Sequence, residues 1–132
     1  MPAYDDSYFD PPAPVANVIV RNPDTGVLWP DVPMLLDTGA DVTLIPAQVV
    51  QKLGLTTDLG TQYELVGFDG SIHFAPTVRL ELLFLHRAFR GQFLLIDQER
   101  GILGRNILNV VALLLDGPHL RWDEYSLSRA RS

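Results

Sequence analysis

The stretch "PMLLDTGADVTLIP", residues 33–46, joins an apolar run to two carboxylates that have a glycine between them. The apolar residues ahead of Asp37 predict a buried strand, and Asp37 follows that strand directly, ahead of Thr38 and Gly39. A carboxylate beside a buried strand is costly unless it is paired or used in chemistry. The stretch therefore predicts a carboxylate at the end of a strand that is either paired or used in chemistry.

The composition is that of one ordinary globular domain with an acidic balance. The chain has 132 residues, of which 47% are hydrophobic and 20% are charged, and its formal net charge is -6. Such a chain is a poor partner for nucleic acid, because phosphate binding needs a basic face. The absence of cysteine excludes disulfides, thiolate catalysis and cysteine-based zinc sites. The histidines show no metal-ligand spacing, so we expect neither a metal nor a cofactor.

The two ends of the chain show no sign of membrane targeting. Residues 1–14 are acidic and proline-rich, unlike a signal peptide, and we predict a flexible arm there because such residues cannot form a packed core. No apolar run approaches the roughly 20 residues needed to span a membrane. We therefore expect a soluble, cytoplasmic protein with one folded domain, residues 15–122, followed by a polar C-terminal tail, residues 123–132.

Between the arm and the tail, short apolar segments alternate with turns. In residues 78–85, apolar side chains alternate with a partly polar face, which is the period of a strand. Gly67 and Gly70 bracket a two-residue stretch between two such strands and predict a hairpin tip. The segment "PAQVVQKLG" predicts one short helix, with proline at its start and glycine at its end, and "RNILNVV" predicts a helical turn. The economical interpretation is an all-β domain with one or two short helices.

Two stretches of the chain share one known pattern. "LLDTGADVTLIP" carries Asp-Thr-Gly after an apolar pair, and "GILGRNILN", residues 101–109, carries Gly-Arg-Asn after an apolar pair. In this order, with a glycine-bearing hairpin between them, they resemble the retropepsins, the retroviral-type aspartic proteases. The resemblance covers about residues 15–116. It implies a retropepsin-like closed, orthogonal β-barrel with one flap hairpin per subunit.

The resemblance also implies a role for each matching residue. Asp37 is similar to the catalytic aspartate, Thr38 to the threonine whose hydroxyl ties the two active-site loops together in the dimer, and Gly39 to the glycine whose carbonyl accepts a substrate hydrogen bond. Asp41 is similar to an aspartate that holds the peptide backbone and pairs with an arginine, here Arg105. The other candidates are Ala40, Val66, Gly67, Phe68, Asp69, Gly70, Ile72 and Leu103 for substrate binding, and Gly104 and Asn106 for support of the site.

Three residues near these motifs have simpler interpretations. Gly39 and Gly104 fit places where two backbones approach each other closely. We interpret Thr43, which follows Val42, as a packing residue of a strand rather than a residue of the site.

The chemistry implied by the resemblance requires two carboxylates. One takes a proton from water and a neutral one gives a proton to the peptide carbonyl, because like charges in contact cannot both ionise. A second Asp-Thr-Gly, residues 24–26, follows "NP" and lacks a preceding apolar run, so it predicts a surface turn. The second carboxylate must then be Asp37 of another copy, which predicts a two-fold homodimer. By resemblance, the apolar residues 110–116 would supply the dimer interface.

The sequence therefore predicts an aspartic-type endopeptidase that acts as a homodimer on an extended peptide substrate. One alternative stays open, in which the same fold serves as a peptide-binding or dimerisation module without useful turnover. The intact Asp37-Thr38-Gly39 favours the enzyme, although weak dimerisation or a closed flap could silence it.

Overall fold

The computed structural model describes residues 2–66 and 69–126 of the chain. The prediction of an all-β fold with one or two short helices is confirmed. No helix in the described ranges is long and apolar enough to cross a membrane. In chain order the elements are β1 (Tyr4–Asp5), β2 (Ala13–Arg21), β3 (Leu28–Leu36), β4 (Leu44–Pro46), α1 (Ala47–Lys52), β5 (Thr57–Val66), β6 (Ile72–Phe84), β7 (Arg87–Ile96), β8 (Gly101–Leu103), α2 (Arg105–Leu108), β9 (Leu113–Asp116), a 3-10 turn (Gly117–His119) and β10 (Arg121–Glu124).

Six of these strands pair in a closed ring. Their order is β2-β3-β8-β4-β7-β6, and a further pairing of β6 with β2 joins the two ends. Successive residues of a strand face opposite sides of the sheet, and in β2 the inward residues Ala16, Val18 and Val20 are buried. The same buried core contains Val32, Met34, Ile45, Val78, Leu80, Leu82 and Leu103.

Two strands of the ring bring the two sequence motifs to one edge of the sheet. β3 and β8 are parallel neighbours, with Met34 opposite Gly101 and Leu36 opposite Leu103. Parallel strands in this register run in the same direction and end at the same edge. The loops that begin at Asp37 and at the residue after Leu103 therefore start side by side.

The hairpin predicted for the flap is formed by β5 and β6. The two strands are antiparallel, and Val66 pairs with Ile72, so Asp69, Gly70 and Ser71 belong to the tip. Gly67 and Phe68, two of the predicted flap residues, lie outside the described residues.

The N-terminal residues differ from the predicted flexible arm, because they are packed along the domain. β1 pairs with the start of β2, and the Asp5 carboxylate forms an ion pair with Arg100 at 3.1 Å. The Tyr4 N–H also donates a hydrogen bond to the Leu120 carbonyl at 2.9 Å. Proline and acidic residues supply no core of their own, but strand hydrogen bonds and an arginine from elsewhere in the chain hold them.

The predicted domain limits fall inside strands. β2 runs from Ala13 to Arg21 and β10 from Arg121 to Glu124, so each strand crosses one of the limits drawn at residues 15 and 122. β10 pairs with β9 in a separate two-stranded sheet. The end of the predicted tail, residues 127–132, lies outside the described residues.

Candidate active site

Asp37 begins a tight loop at the end of β3. Its backbone N–H donates to the Leu103 carbonyl at 3.1 Å, which continues the β3–β8 ladder by one residue. The loop turns at once, because the Ala40 N–H donates to the Asp37 carbonyl at 3.2 Å. The Gly39 N–H donates to Oδ1 of Asp37 at 2.9 Å. One oxygen of a half-buried carboxylate is thus fixed by the backbone, and within the described part of the chain Oδ2 has no hydrogen bond.

The glycine at position 39 suits this loop because space beside the carboxylate is limited. A Cβ at Gly39 would lie 3.1 Å from Oδ1 of Asp37, which is tighter than ordinary contact. The close approach predicted for this glycine therefore involves a carboxylate of its own loop.

The second motif lies directly against the first. A Cβ at Gly104 would collide with the backbone carbonyl of Val42, so the close backbone approach predicted for Gly104 is confirmed. The next residue, Arg105, donates its backbone N–H to the Ala40 carbonyl at 2.8 Å. The loop that carries Asp37 is therefore held from one side by the start of α2.

The predicted ion pair between Arg105 and Asp41 is wrong for this structure. Nη1 of Arg105 donates instead to the carbonyl of Thr38 at 2.7 Å, and no ion pair joins Arg105 to Asp41 in the ranges that the structure describes. Exposed ion pairs contribute little stability, so a short charge-assisted bond to a loop carbonyl can compete with one. Arg105 thus contacts the loop of Asp37, and Asp41 is left exposed to solvent.

Thr43 is buried, as its interpretation as a packing residue predicts, and its hydroxyl also joins the two motifs. Its side chain is 1% exposed, and its hydroxyl donates to Oδ1 of Asn106 at 2.7 Å. The same hydroxyl accepts a bond from the Gly104 N–H at 3.1 Å. A threonine within the apolar run "VTLIP" could have signalled this role, since buried hydroxyls in native proteins are hydrogen-bonded.

The described part of the hairpin tip is a compact turn. Oδ1 of Asp69 accepts bonds from the hydroxyl of Ser71 at 2.6 Å and from its N–H at 2.9 Å. These two bonds hold the pKa of Asp69 below its ordinary value, and the bond from the Ser71 hydroxyl has the larger effect. Gly70 has a φ of +83°, a left-handed conformation that favours glycine. Ile72 is 55% exposed beside this turn. The side chain of Val66, the other apolar candidate here, lies outside the described part of the structure.

Leu103, predicted to line a substrate subsite, is fully buried. It is 0% exposed and packs in the core, while its carbonyl accepts the Asp37 N–H. Leu103 is the last residue of β8, and its side chain points into the core inside the ring of strands. Its role is to hold the strand on which the site is built.

The second Asp-Thr-Gly, residues 24–26, forms the turn that its sequence predicts. It links β2 to β3, with Oδ1 of Asn22 accepting the Asp24 N–H at 2.9 Å and Gly26 at a φ of +78°. The turn stands at the beginning of β3, and Asp37 follows the end of that strand. The two aspartates are therefore at opposite ends of β3.

A groove of about 1090 Å³ lies beside β2. It is lined by residues of the N-terminal arm, of β2, of the β6–β7 turn and by Trp122, and its lining includes no residue of the Asp37 loop.

Known proteins share these features. A family model described as "Aspartyl protease" matches residues 29–107, which include both motifs. Among solved structures, the chain is similar to the EIAV protease complexed with the inhibitor HBY-793, with 23% sequence identity and a TM-score of 0.52 over 74% of this chain and 86% of that one. No curated protein matches the sequence. Because the family model spans more than half of the chain and the solved structure shares its retropepsin fold, the chain belongs to the aspartyl protease family and is retropepsin-like.

Proposed function

We propose that this protein is an aspartic endopeptidase that works as a homodimer, with Asp37 of each copy forming the catalytic pair. The observation that carries the proposal is how the two motifs hold a single carboxylate. The Gly39 N–H fixes Oδ1 of Asp37 at 2.9 Å, and Arg105 braces the same loop through the Thr38 carbonyl. A half-buried carboxylate held in this way has a fixed direction, which acid–base chemistry on a bound substrate needs.

One chain supplies only half of the proposed catalytic pair. Asp24 begins the other Asp-Thr-Gly, but β3, nine residues long, separates its turn from Asp37, a span of roughly 30 Å at the usual rise of a strand. A second copy related by a two-fold axis can bring an identical carboxylate beside the first, since symmetric dimers place the same residue on both sides of the axis.

The chemistry follows from two carboxylates that share one proton. The ionised carboxylate takes a proton from water, and the water oxygen attacks the carbonyl carbon of the peptide bond. The neutral carboxylic acid gives its proton to the carbonyl oxygen, which yields a tetrahedral diol. When the C–N bond breaks, the nitrogen takes a proton from one carboxyl group of the pair, and a hydroxyl of the diol returns its proton to the other. The products are a carboxylic acid and an amine, and the pair again shares one proton.

Thr38 would tie the two copies together at the axis. Its side chain is exposed, and its hydroxyl has no hydrogen bond within the described residues, although Arg105 fixes its backbone carbonyl. A hydroxyl both donates and accepts, so Thr38 can bond to the loop of the other copy.

The proposed substrate is an extended peptide that binds as an added strand. It would lie between the Asp37 loop and the β5–β6 hairpin, whose tip includes the exposed Ile72. Asp41, exposed and outside any ion pair in the described ranges, would accept a backbone N–H of the peptide. Apolar substrate residues would be preferred next to Ile72.

The test is cleavage of a mixed peptide library over a range of pH, with the association state measured in the same samples. The informative variant is Asp37→Asn, which keeps the shape of the side chain but removes the carboxylate. Asp24→Asn is the matched control, because it makes the same change in the other Asp-Thr-Gly. We expect cleavage by wild type and by Asp24→Asn, favoured at acidic pH, and none by Asp37→Asn.

Two outcomes would contradict the proposal. Cleavage that survives in Asp37→Asn would show that another group or a contaminant does the chemistry. A confirmed dimer that binds peptides without cutting any would favour the alternative, a peptide-binding module with the same fold.

A further inference from the structure

The groove beside β2 follows a gap in the hydrogen bonding of that strand. One side of β2 pairs with β3 along most of its length. On the other side β1 pairs as far as Pro14 and β6 pairs from Ile19 onward, so within the described residues no strand pairs with residues 15–18 there. Val15 and Asn17, which lie in this gap, line the groove of about 1090 Å³. The open stretch of β2 therefore lies in a groove large enough for a small ligand.

The backbone groups of Asn17 point into this gap. The indole N–H of Trp122 donates to the Val15 carbonyl at 3.0 Å, so the backbone groups of Val15 point away from β3. In an antiparallel pair the backbone groups of every second residue point the same way, so those of Asn17 also point away from β3. Pro33, opposite Asn17 on β3, agrees with this direction because proline has no N–H to donate.

The side chain of Asn17 adds further hydrogen-bonding groups to the groove. It is exposed, and its amide has no hydrogen bond within the described residues. Together with the backbone N–H and carbonyl, this amide gives Asn17 both donors and acceptors. A peptide amide, which carries one N–H and one carbonyl, is a ligand that such groups can bind.

Arg87 gives the groove a positive charge that no carboxylate of the described chain pairs with. It lines the groove, and its Nη1 donates to the Val110 carbonyl at 3.1 Å, which fixes the direction of the guanidinium. Arg100, the other arginine of the groove, forms an ion pair with Asp5. The remaining N–H groups of Arg87 can bind a carboxylate in a charge-assisted pair. In a chain with a formal net charge of -6, this groove therefore favours an anionic group.

The turn before Arg87 has a backbone conformation that its residues disfavour. Phe84 pairs with Arg87, so Leu85 and His86 form a two-residue loop, and their φ angles are +52° and +61°. Loops with two positive φ angles strongly favour Asn-Gly and related pairs. Leu85 packs against the core, whereas His86 is exposed and lines the groove. Strained backbone clusters at ligand sites, and here it places an imidazole beside the guanidinium.

The amide and carboxylate anchors lie close to each other. Leu83 of β6 lies opposite Ile19 of β2, and the turn that leads to Arg87 follows shortly after Leu83. Asn17 lies two residues from Ile19, along the part of β2 that β6 no longer covers. A ligand that contacts both anchors therefore needs to be only a few residues long. Half-buried apolar side chains line the groove around these anchors: Val15, Ile19, Pro33, Leu83 and Leu85.

We propose that this groove binds the C-terminal end of a peptide chain whose last residues are apolar. The terminal carboxylate bonds to Arg87 beside the His86 imidazole, the last amide bonds to Asn17, and the apolar side chains cover the apolar lining. A fatty acid would match the charge and the apolar lining but would leave Asn17 without a partner. The inference goes beyond the proposed function, because the lining includes no residue of the Asp37 loop and binding requires no catalysis.

A pair of labelled peptides tests the proposal without any variant. Both carry fluorescein on the N-terminus of Gly-Ser-Gly-Ala-Val-Leu, and one ends in a free carboxylate while the other ends in an amide. Fluorescence anisotropy measures their binding to the wild type and to Asp37→Asn, in which we expect no cleavage of the probe. The free acid should bind at least roughly tenfold more tightly, because the amide cannot form the charge-assisted pair.

Three variants test the two anchors. Arg87→Gln should weaken binding of the free acid at least roughly tenfold and leave the amide unchanged. Arg79→Gln is the matched control, because it removes the same charge from an exposed arginine of the same hairpin that does not line the groove. It should leave both affinities unchanged. Asn17→Ala should weaken both peptides by about threefold to tenfold, because both carry the last amide.

Several results would overturn the proposal. These are equal binding of the two peptides by the wild type, an equal loss of binding in Arg79→Gln, and no saturable binding of the free acid below about 1 mM. Octanoate that competes as well as the unlabelled free-acid peptide would show a site for carboxylic acids in general. A changed association state of Arg87→Gln in sedimentation would show that a second copy of the chain occupies the groove. Anisotropy does not depend on turnover, so each result leaves the proposed activity to its own test.

Discussion

The hydroxyl of Thr43 and the amide oxygen of Asn106, 63 residues apart in sequence, are joined by a hydrogen bond of 2.7 Å. The same hydroxyl accepts the Gly104 N–H at 3.1 Å. One buried oxygen thus connects the segment after the Asp37 loop to the segment that holds this loop in place.

Thr43→Val should destabilise the protein by about 1–3 kcal/mol, because it leaves the Gly104 N–H and the Asn106 amide without a buried partner at nearly constant volume. The free energy of unfolding from urea titration measures this cost. Thr43→Ser is the control, since it keeps the hydroxyl and loses only a methyl group. An equal loss in both variants would indicate that the methyl group, and not the hydrogen bonds, stabilises this region.

Gly104→Ala should cost about 3 kcal/mol or more, because a Cβ there meets the Val42 backbone, which cannot move as a flexible side chain can. Thermal and urea unfolding would both show the loss. Gly91→Ala is the comparison, since nothing lies within 4 Å of a Cβ at that position. Similar stability for the two variants would contradict the close contact between the loops.

Arg105 and Asp41 should contribute to stability independently of each other. Nη1 of Arg105 bonds to the Thr38 carbonyl rather than to Asp41, so the two side chains have no direct contact to lose. We expect a double-mutant cycle of Arg105→Ala and Asp41→Asn to give a coupling below about 0.5 kcal/mol in the free energy of unfolding. Arg105→Ala alone should lower peptide cleavage, because it releases the loop of Asp37. A large coupling would restore the ion pair predicted from the sequence.

The turn at residues 5–8 and the ion pair of Asp5 with Arg100 should weaken as the solution becomes acidic. The pKa of Asp5 lies below its ordinary value of 3.8, chiefly because its carboxylate accepts a hydrogen bond from the Tyr8 N–H. The hydroxyl and N–H of Ser7 and the charge of Arg100 lower this pKa further, and partial burial opposes them. Because the folded pKa lies below the unfolded one, the stabilisation is fully present above pH 3.8 and is lost as pH falls through the lower, folded value.

Amide hydrogen exchange along residues 2–14 would measure this loss. Asp5→Asn should show weaker protection than wild type at neutral pH and little difference in strong acid. Protection that is equal in the two proteins at neutral pH would show that the strand pairing alone holds the arm.

The sequence was sufficient to predict the all-β fold and the hairpin of β5 and β6, because strand period and turn residues are local features of the chain. Gly70 marks a place at the hairpin tip where backbone geometry restricts the choice of residue. The hydrogen-bond partners of long polar side chains could not be predicted from the neighbouring sequence. Arg105 could reach either Asp41 or the Thr38 carbonyl, and only the folded arrangement of the loops decides between them.

The local sequence pattern also did not predict which apolar side chains are buried or that the N-terminal residues pack against the domain. Leu103 and Ile72 are both apolar residues near a motif, yet one fills the core and the other is exposed. The ring of strands makes that distinction. The N-terminal residues are too polar to form a core, and their ion pair with Arg100 spans 95 residues of sequence. Such a contact is visible only after the chain has folded.

The cover that the N-terminal residues provide for β10 also limits how far assembly can proceed. A hairpin with two open edges can pair on both sides, and such pairing continues from chain to chain into a fibre. With Pro2 and Ala3 along β10, the hairpin keeps one unpaired edge, along β9, among the residues that the structure describes. Removing these first residues would uncover the outer edge of β10 as well, so that strands of other chains could add on both sides of the hairpin.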